Sequence, residues 1–197
     1  MPTLVYLLKN KQITLLDPNT WDDKNDSYYL RLYKKKRDLS SVLALCFSEA
    51  PETYHHWKVF AGNNSGVCVR FNKALLLDSV RKVKSIKHGN VKYRRLKDMN
   101  KIKPTINELP FLKRFQYRDE VEYRIIYEAE NQSIKFKNIK IDLNCIHKIY
   151  LSPWMPKLLV KSVKELIRSI ADCSKMEMWA SSVNENREWK RIGDSAA

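Results

Sequence analysis

The segment Asp119-Glu120-Val121-Glu122-Tyr123-Arg124-Ile125-Ile126-Tyr127 constrains this chain more than any other stretch. Its alternation predicts a β-strand, because successive side chains of a strand point to opposite faces. Val121, Tyr123, Ile125 and Tyr127 fall on one face and suit a core. Glu120, Glu122 and Arg124 fall on the other, spaced about 7 Å apart at i, i+2. A polar face of that kind, left open, would hold two carboxylates and a guanidinium against one bound molecule, so Glu122 and Glu120 are the first candidates for chemistry.

The rest of the pattern predicts a mixed α+β protein. Leu4 to Lys9 reads as a short helix and Gln12 to Leu16 as a strand, followed by an Asp17-Pro18-Asn19-Thr20 turn. Asn25 or Asp26 is placed to cap a helix over Tyr28, Tyr29, Leu32 and Tyr33. Strands are expected at Val42 to Phe47, Val67 to Phe71, around Val91 and Tyr93, and at Ile134 to Phe136, Ile139 to Leu143 and Ile146 to Leu151. Short helices are expected at Tyr54 to Phe60, from Asn72 through Val80, and at Leu109 to Phe115; a turn separates the first two at Asn63 to Gly66. Pro156 opens a helix with an apolar stripe of Leu159, Val163, Leu166, Ile167 and Ile170. Met176, Met178 and Ala180 alternate as a last strand. Helices scattered among strands point to a single α+β domain over 1–197, with a mixed, mostly antiparallel sheet core and peripheral helices. No repeat or domain boundary is visible.

Charge supplies the second constraint. The chain carries 37 Lys and Arg against 22 Asp and Glu, a formal net charge of +15. Residues 81–103 hold ten Lys or Arg and one acid, Asp98. Arg81, Lys82, Lys84, Lys87, Lys92, Arg94, Arg95 and Lys97 are therefore the candidate nucleic-acid contacts, with a second basic cluster at Arg31, Lys34, Lys35, Lys36 and Arg37. Such a field attracts polyanions. The competing reading is a solvated surface in a lysine-biased genome. No apolar run reaches the ~18 residues of a membrane span, and Met1 to Lys11 lacks the cleavage site of a signal peptide. A cytoplasmic protein without membrane contact is expected. Cys46, Cys68 and Cys145 lie in apolar segments and read as small buried thiols; with Cys173 they form neither a Cys-x-x-Cys nor a disulfide pattern. No metal site is expected, since His55-His56 lacks a third ligand at fixed spacing.

Two further segments bear on chemistry: Asn25-Asp26, polar side chains just before an aromatic helix, and the strand end around Ser48 with the aromatic residues after it. Ser48 ends a strand at Cys46-Phe47-Ser48-Glu49, where a hydroxyl can orient a ligand or simply terminate the strand. Tyr54 and Trp57 follow, and an indole can stack on a flat ring or fill a core. Glu122 and Arg124 can serve a ligand, or form an exposed ion pair contributing ~0–1 kcal/mol.

The succession Ile13-Thr14-Leu15, Asp17-Pro18, Asn25-Asp26, Cys46-Phe47-Ser48-Glu49, His56-Trp57, Gly66-Val67-Cys68-Val69-Arg70-Phe71, Val91-Lys92-Tyr93, then Tyr117 with Glu120-Val121-Glu122-Tyr123-Arg124 resembles a large bacterial family of domains of unknown function. The resemblance covers roughly residues 4 to 183. The family is in turn loosely similar to ADP-ribosyltransferase-type toxins and to phage-defence proteins; those enzymes, and the family's usual pattern, place an additional strand before the first helix, a strand this sequence does not show. The resemblance implies an ADP-ribosyltransferase-like fold and NAD as cofactor. Glu122 would hold the ribose 2′-hydroxyl and face the developing positive charge. Glu120 would orient or deprotonate the nucleophile, while Ser48, Trp57 and Tyr54 would bind the cofactor.

These observations support an ADP-ribosyltransferase-like effector acting on nucleic acid, RNA or DNA, in phage defence or a toxin–antitoxin system. Two other readings stay open: a non-catalytic nucleic-acid-binding module, and a basic subunit that meets an acidic protein such as an antitoxin or another defence-system protein.

Overall fold

The computed structural model describes residues 1–62 and 64–196. Asn63, at the head of the expected Asn63–Gly66 turn, and Ala197 lie outside the described residues. The chain forms two compact units, one from residues 13–50 and 79–140, the other from 1–12, 51–78 and 141–197. Each is assembled from separated stretches, so no single cut in the sequence divides them.

The strands, in chain order, are β1 (Gln12–Leu16), β2 (Ser41–Ser48), β3 (Val67–Phe71), β4 (Ile86–Asn90), β5 (Lys92–Arg94), β6 (Leu112–Arg114), β7 (Glu122–Ala129), β8 (Phe136–Lys140), β9 (Ile146–Leu151) and β10 (Met178–Ala180). The helices are α1 (Pro2–Asn10), α2 (Lys24–Lys36), α3 (Tyr54–His56, running on into a π turn at Trp57–Ala61), α4 (Lys73–Val80), α5 (Leu96–Lys101), α6 (Lys157–Arg168) and α7 (Arg187–Asp194). The mixed α+β character and the mostly antiparallel pairing agree with the pattern of the sequence.

In the 13–50 and 79–140 unit, a five-stranded sheet runs β4-β7-β2-β1-β8. β7 lies between β2 and β4, antiparallel to both. The register sets Ser48 opposite Glu122, Cys46 opposite Arg124 and Ala44 opposite Ile126. One face of the sheet therefore carries Val42, Ala44, Cys46 and Ser48 beside Glu128, Ile126, Arg124 and Glu122. Helix α2 covers that face: Leu30 and Tyr33 pack with Val42, Ala44, Ile126 and Leu109 into a buried cluster, flanked by Trp21, Tyr29, Leu32 and Phe111. A short parallel pair, β5 with β6, belongs to the same unit.

Several expected elements shift. The residue that caps α2 is Asp23, whose side chain accepts from the backbone N–H groups of Asn25 and Asp26. Neither Asn25 nor Asp26 is the cap, because the helix begins at Lys24. The expected helix at Leu109 to Phe115 is a 3₁₀ turn over Ile106–Phe111 leading into β6. Pro110 lacks the N–H an α-helix would need there. Leu143 belongs to a 3₁₀ turn rather than a strand.

In the other unit β9 pairs antiparallel with β3 and parallel with β10. Asn72 accepts from the Leu75 N–H at the start of α4, as a cap residue should. α6 starts after Pro156 as expected and buries Ile167, with Ile170 buried just beyond its end, while Leu159 and Leu166 stay exposed. Cys145 and Cys173 are buried; Cys46 and Cys68 are exposed, contrary to the expectation of buried thiols. Cys46 lies on β2 opposite Arg124, and Cys68 on β3 opposite Tyr150. Among the described residues, no helix is long and apolar enough to cross a membrane.

Candidate functional site

The polar face of β7 is closed. Glu122 is 3% exposed and Arg124 0%. β7 begins only at Glu122, because Val121 adopts a left-handed backbone (φ 42°) and ends the preceding 3₁₀ turn, Phe115–Glu120. Val121 is therefore exposed rather than a core residue of the strand, and Glu120 sits in the turn rather than on the strand. The expected open row of Glu120, Glu122 and Arg124 is replaced by a network beneath α2.

Arg124 is its hub. Its Nε donates to Glu122 Oε1 at 2.7 Å, and its two terminal nitrogens grip Asp26 Oδ1 at 2.8 Å and Oδ2 at 2.6 Å. It also donates to the Pro110 carbonyl at 2.9 Å and lies 5.1 Å from the centre of the Trp21 ring. Lys113, one strand position into β6 and itself mostly buried, donates to Glu120 at 2.6 Å and Glu122 at 3.1 Å, and stands 3.8 Å from Asp26. The Glu122 backbone is engaged as well: its N–H donates to the Tyr93 hydroxyl at 2.7 Å, and its carbonyl accepts from Val91 N–H.

Three carboxylates thus face two cations, and their proton affinities split. Burial pushes Glu122 up, but Arg124 and Lys113 pull it down harder, to about 2 from an ordinary 4.5. Asp26 and Glu120 go the other way, raised first by burial against the pull of Arg124 and Lys113 respectively. Burial would lower Lys113, yet Glu122 and Glu120 hold it above its ordinary value. Burial also raises the Tyr93 phenol to about 12. Part of Cys46 stays open to water, while the protein crowded about its sulfur holds the thiol well above its usual range, with Arg124 opposing.

The residues expected to bind NAD fit that role poorly. Both carboxylate oxygens of Glu122 are bonded to cations, which leaves none facing outward for a ribose hydroxyl. Ser48 does lie opposite Glu122, but its hydroxyl donates to the Glu120 carbonyl at 2.7 Å and accepts from Ala50 N–H. Trp57, in the other unit, is 3% exposed with its indole N–H donated to Glu52, so it offers no stacking face. Tyr54 is exposed and packs edge-on against Trp154. No step through NAD follows from this arrangement.

A pocket of about 110 Å³ opens beside the network. Asp26 and Lys113 reach it from the network side. Tyr28 and Tyr29 on α2, Leu96 and Met99 on α5, and Arg94 and Arg114 complete its main walls. Of these, the sequence points to Arg94 as a nucleic-acid contact and to Asp26 as part of the polar pair before an aromatic helix; the others carry no such expectation. The signal lay in Lys113-Arg114, a basic pair outside the densest charge run, and in the adjacent tyrosines of α2.

The basic segment divides by engagement. Lys87 forms an ion pair with Glu128 at 2.8 Å and donates to the Tyr33 hydroxyl; Arg94 pairs with Glu108 at 2.8 Å. These two were expected to meet nucleic acid, but each is held by an internal acid. Lys92 lies 3.7 Å from the same Glu108, and Arg95 stacks 4.3 Å over Phe115, both remaining exposed. Arg81, Lys82, Lys84 and Lys97 are exposed.

A family model described as "Protein of unknown function (DUF2971)" matches residues 56–181. That span includes Lys113, Glu120, Glu122 and Arg124 and leaves out Asp26 and Ser48, so it is narrower than the resemblance over residues 4 to 183. No curated protein and no solved structure matches the chain.

Proposed function

We propose a nucleic-acid-binding role for this chain, which belongs to the DUF2971 family of proteins of unknown function. The observation that carries it is the exposed basic run through the turn after α4, β5 and α5. Lys82, Lys84 and Lys97 are exposed there without an acidic partner among the described residues, and Arg81, Lys92 and Arg95 are exposed alongside. Acids close to this run are already committed: Glu108 to Arg94 and Lys92, Asp98 to the Arg95 backbone N–H. The cationic field is therefore directed outward, where phosphates can displace counterions.

On this reading the Asp26–Arg124–Glu122 network is scaffolding. It joins α2 to β7 and sets the position of β6. The transferase reading requires Glu122 to meet a ribose, and its burial and double ion pairing favour the binding module instead.

The test is fluorescence anisotropy of labelled single-stranded RNA, single-stranded DNA and duplex DNA at 50 and 200 mM salt. With six to ten phosphate contacts, affinity should fall roughly 10³- to 10⁵-fold between the two. Absent or salt-insensitive binding would contradict the proposal and favour an acidic protein partner. Transfer of label from NAD to RNA or DNA would contradict it in favour of the transferase.

A further inference from the structure

The pocket beside the charge network lies in the same unit as the basic run, and α5 contributes to both. Leu96 and Met99 line the pocket, while Lys97, between them in sequence, is exposed. Its walls are of two kinds. Tyr28, Tyr29, Leu96, Met99 and Leu112 make an apolar and aromatic slot, and Tyr28 and Leu96 are left exposed at 52% and 67%. Arg94, Lys113 and Arg114 are its cations; Arg94 and Lys113 are ion-paired, and Arg114 is exposed with no acidic partner among the described residues.

Each wall asks for a different half of one ligand. Tyrosine rings beside aliphatic side chains accept a flat ring, and stacking of this kind tolerates any base. An unpaired guanidinium beside them suits a phosphate, which it can hold through two parallel N–H groups. At about 110 Å³ the space is well below the ~300–1,000 Å³ of sites that enclose a whole drug-sized ligand, and suits a single ring rather than a dinucleotide. Asn25 adds an amide at the rim that can donate to and accept from a base edge.

We propose that this pocket takes one nucleotide unit, the base in the tyrosine slot and its phosphate on Arg114. The source of that unit as the end of a bound strand rests on the nucleic-acid reading above; a free mononucleotide has the same chemistry. Asp26 is not a base-reading group here, because Arg124 holds both of its oxygens. The buried network instead fixes the pocket wall: Arg124 ties the first turn of α2 to β7, and Lys113 ties β6 to Glu120 and Glu122.

The experiment uses the full chain, with Tyr28→Ala and Arg114→Gln as variants. Both positions are exposed, so the fold should survive, and circular dichroism checks that it does. Adenosine monophosphate, adenosine and ribose 5-phosphate are titrated in turn and followed by tyrosine fluorescence. The monophosphate should bind, each variant should weaken it about ten-fold or more, and each half-ligand should bind wild type more weakly than the whole. Failure of the monophosphate to bind, or equal binding by wild type and both variants, overturns the pocket proposal. Linear and circularised oligonucleotides of one sequence separate the sources. Tighter binding of the linear form, lost in the two variants, assigns the pocket to a strand end. Equal binding of both forms while the monophosphate binds assigns it to a free nucleotide. Oligonucleotide binding without monophosphate binding removes the pocket proposal alone. Monophosphate binding without oligonucleotide binding removes the nucleic-acid reading alone.

Discussion

Arg124 sits fully out of water, gripped by Asp26 from the helix above and by Glu122 from its own strand. Desolvating these charges costs several kcal/mol per ion, and the return depends on completing their hydrogen bonds. Breaking the pair is therefore the severe change. Arg124→Met should destabilise the protein by about 3–5 kcal/mol in urea unfolding, because Asp26 and Glu122 lose their main partner inside the protein. If it costs under about 1 kcal/mol, the network is not the strut described here. The sign of the pH dependence follows from Glu122. Its folded value of about 2 lies below the ordinary 4.5, so its stabilisation is fully present above 4.5 and is lost as pH falls toward 2. Thermal melts of wild type and Glu122→Gln should differ by a constant amount above that window and converge below it. Asp26 and Glu120, both raised by burial, contribute with the opposite sign and become less favourable as pH rises through their folded values.

At the scale of elements, β7 owes its start to Val121. A β-branched residue with positive φ is a backbone outlier, and it bends the chain from the 3₁₀ turn into the strand. Its N–H donates to the Arg118 carbonyl and its own carbonyl accepts from Glu49 N–H, which holds the bend in place. Val121 is 43% exposed, so little packing is lost on replacement. Val121→Asn should raise stability by about 1 kcal/mol, since Asn tolerates this conformation, and Val121→Gly should gain less because glycine loses more backbone freedom on folding. A fall in melting temperature for Asn would argue that the valine side chain matters more than its strain. Alternation over 121–127 announced a strand and its apolar side correctly for Tyr123 and Ile125. It could not reveal that the other side is buried as well, because that depends on where α2 lands. The apolar residues of α2 show that it has a packing face without saying which face of the sheet it covers. The cap of α2 is ambiguous in the sequence for a related reason: Asp23, Asn25 and Asp26 are equally suited to cap by type, and long-range pairing with Arg124 decides the part Asp26 plays. Helix α7 gives little signal in the sequence, because the segment is short and strongly polar; its one mark is Asn186, whose side chain accepts from Trp189 N–H as a cap.

For the molecule as a whole, the charge of +15 is the property that does not depend on any one packing detail. It was fully legible in the sequence, whereas the engagement of Lys87 by Glu128 and of Arg94 by Glu108 was not, since strand register and the 3₁₀ turn bring those acids near. What remains outward-facing is the set that includes Lys82, Lys84 and Lys97. The measurement that bears most directly on their role is the slope of log affinity against log salt for single-stranded RNA, in wild type and in the Lys82→Gln, Lys84→Gln, Lys97→Gln triple variant. If each lysine meets one phosphate, the magnitude of the slope should drop by about 2, with weaker binding at every salt concentration and an unchanged melting temperature. An unchanged slope in a variant that binds as tightly as wild type would contradict the assignment of this surface to nucleic acid.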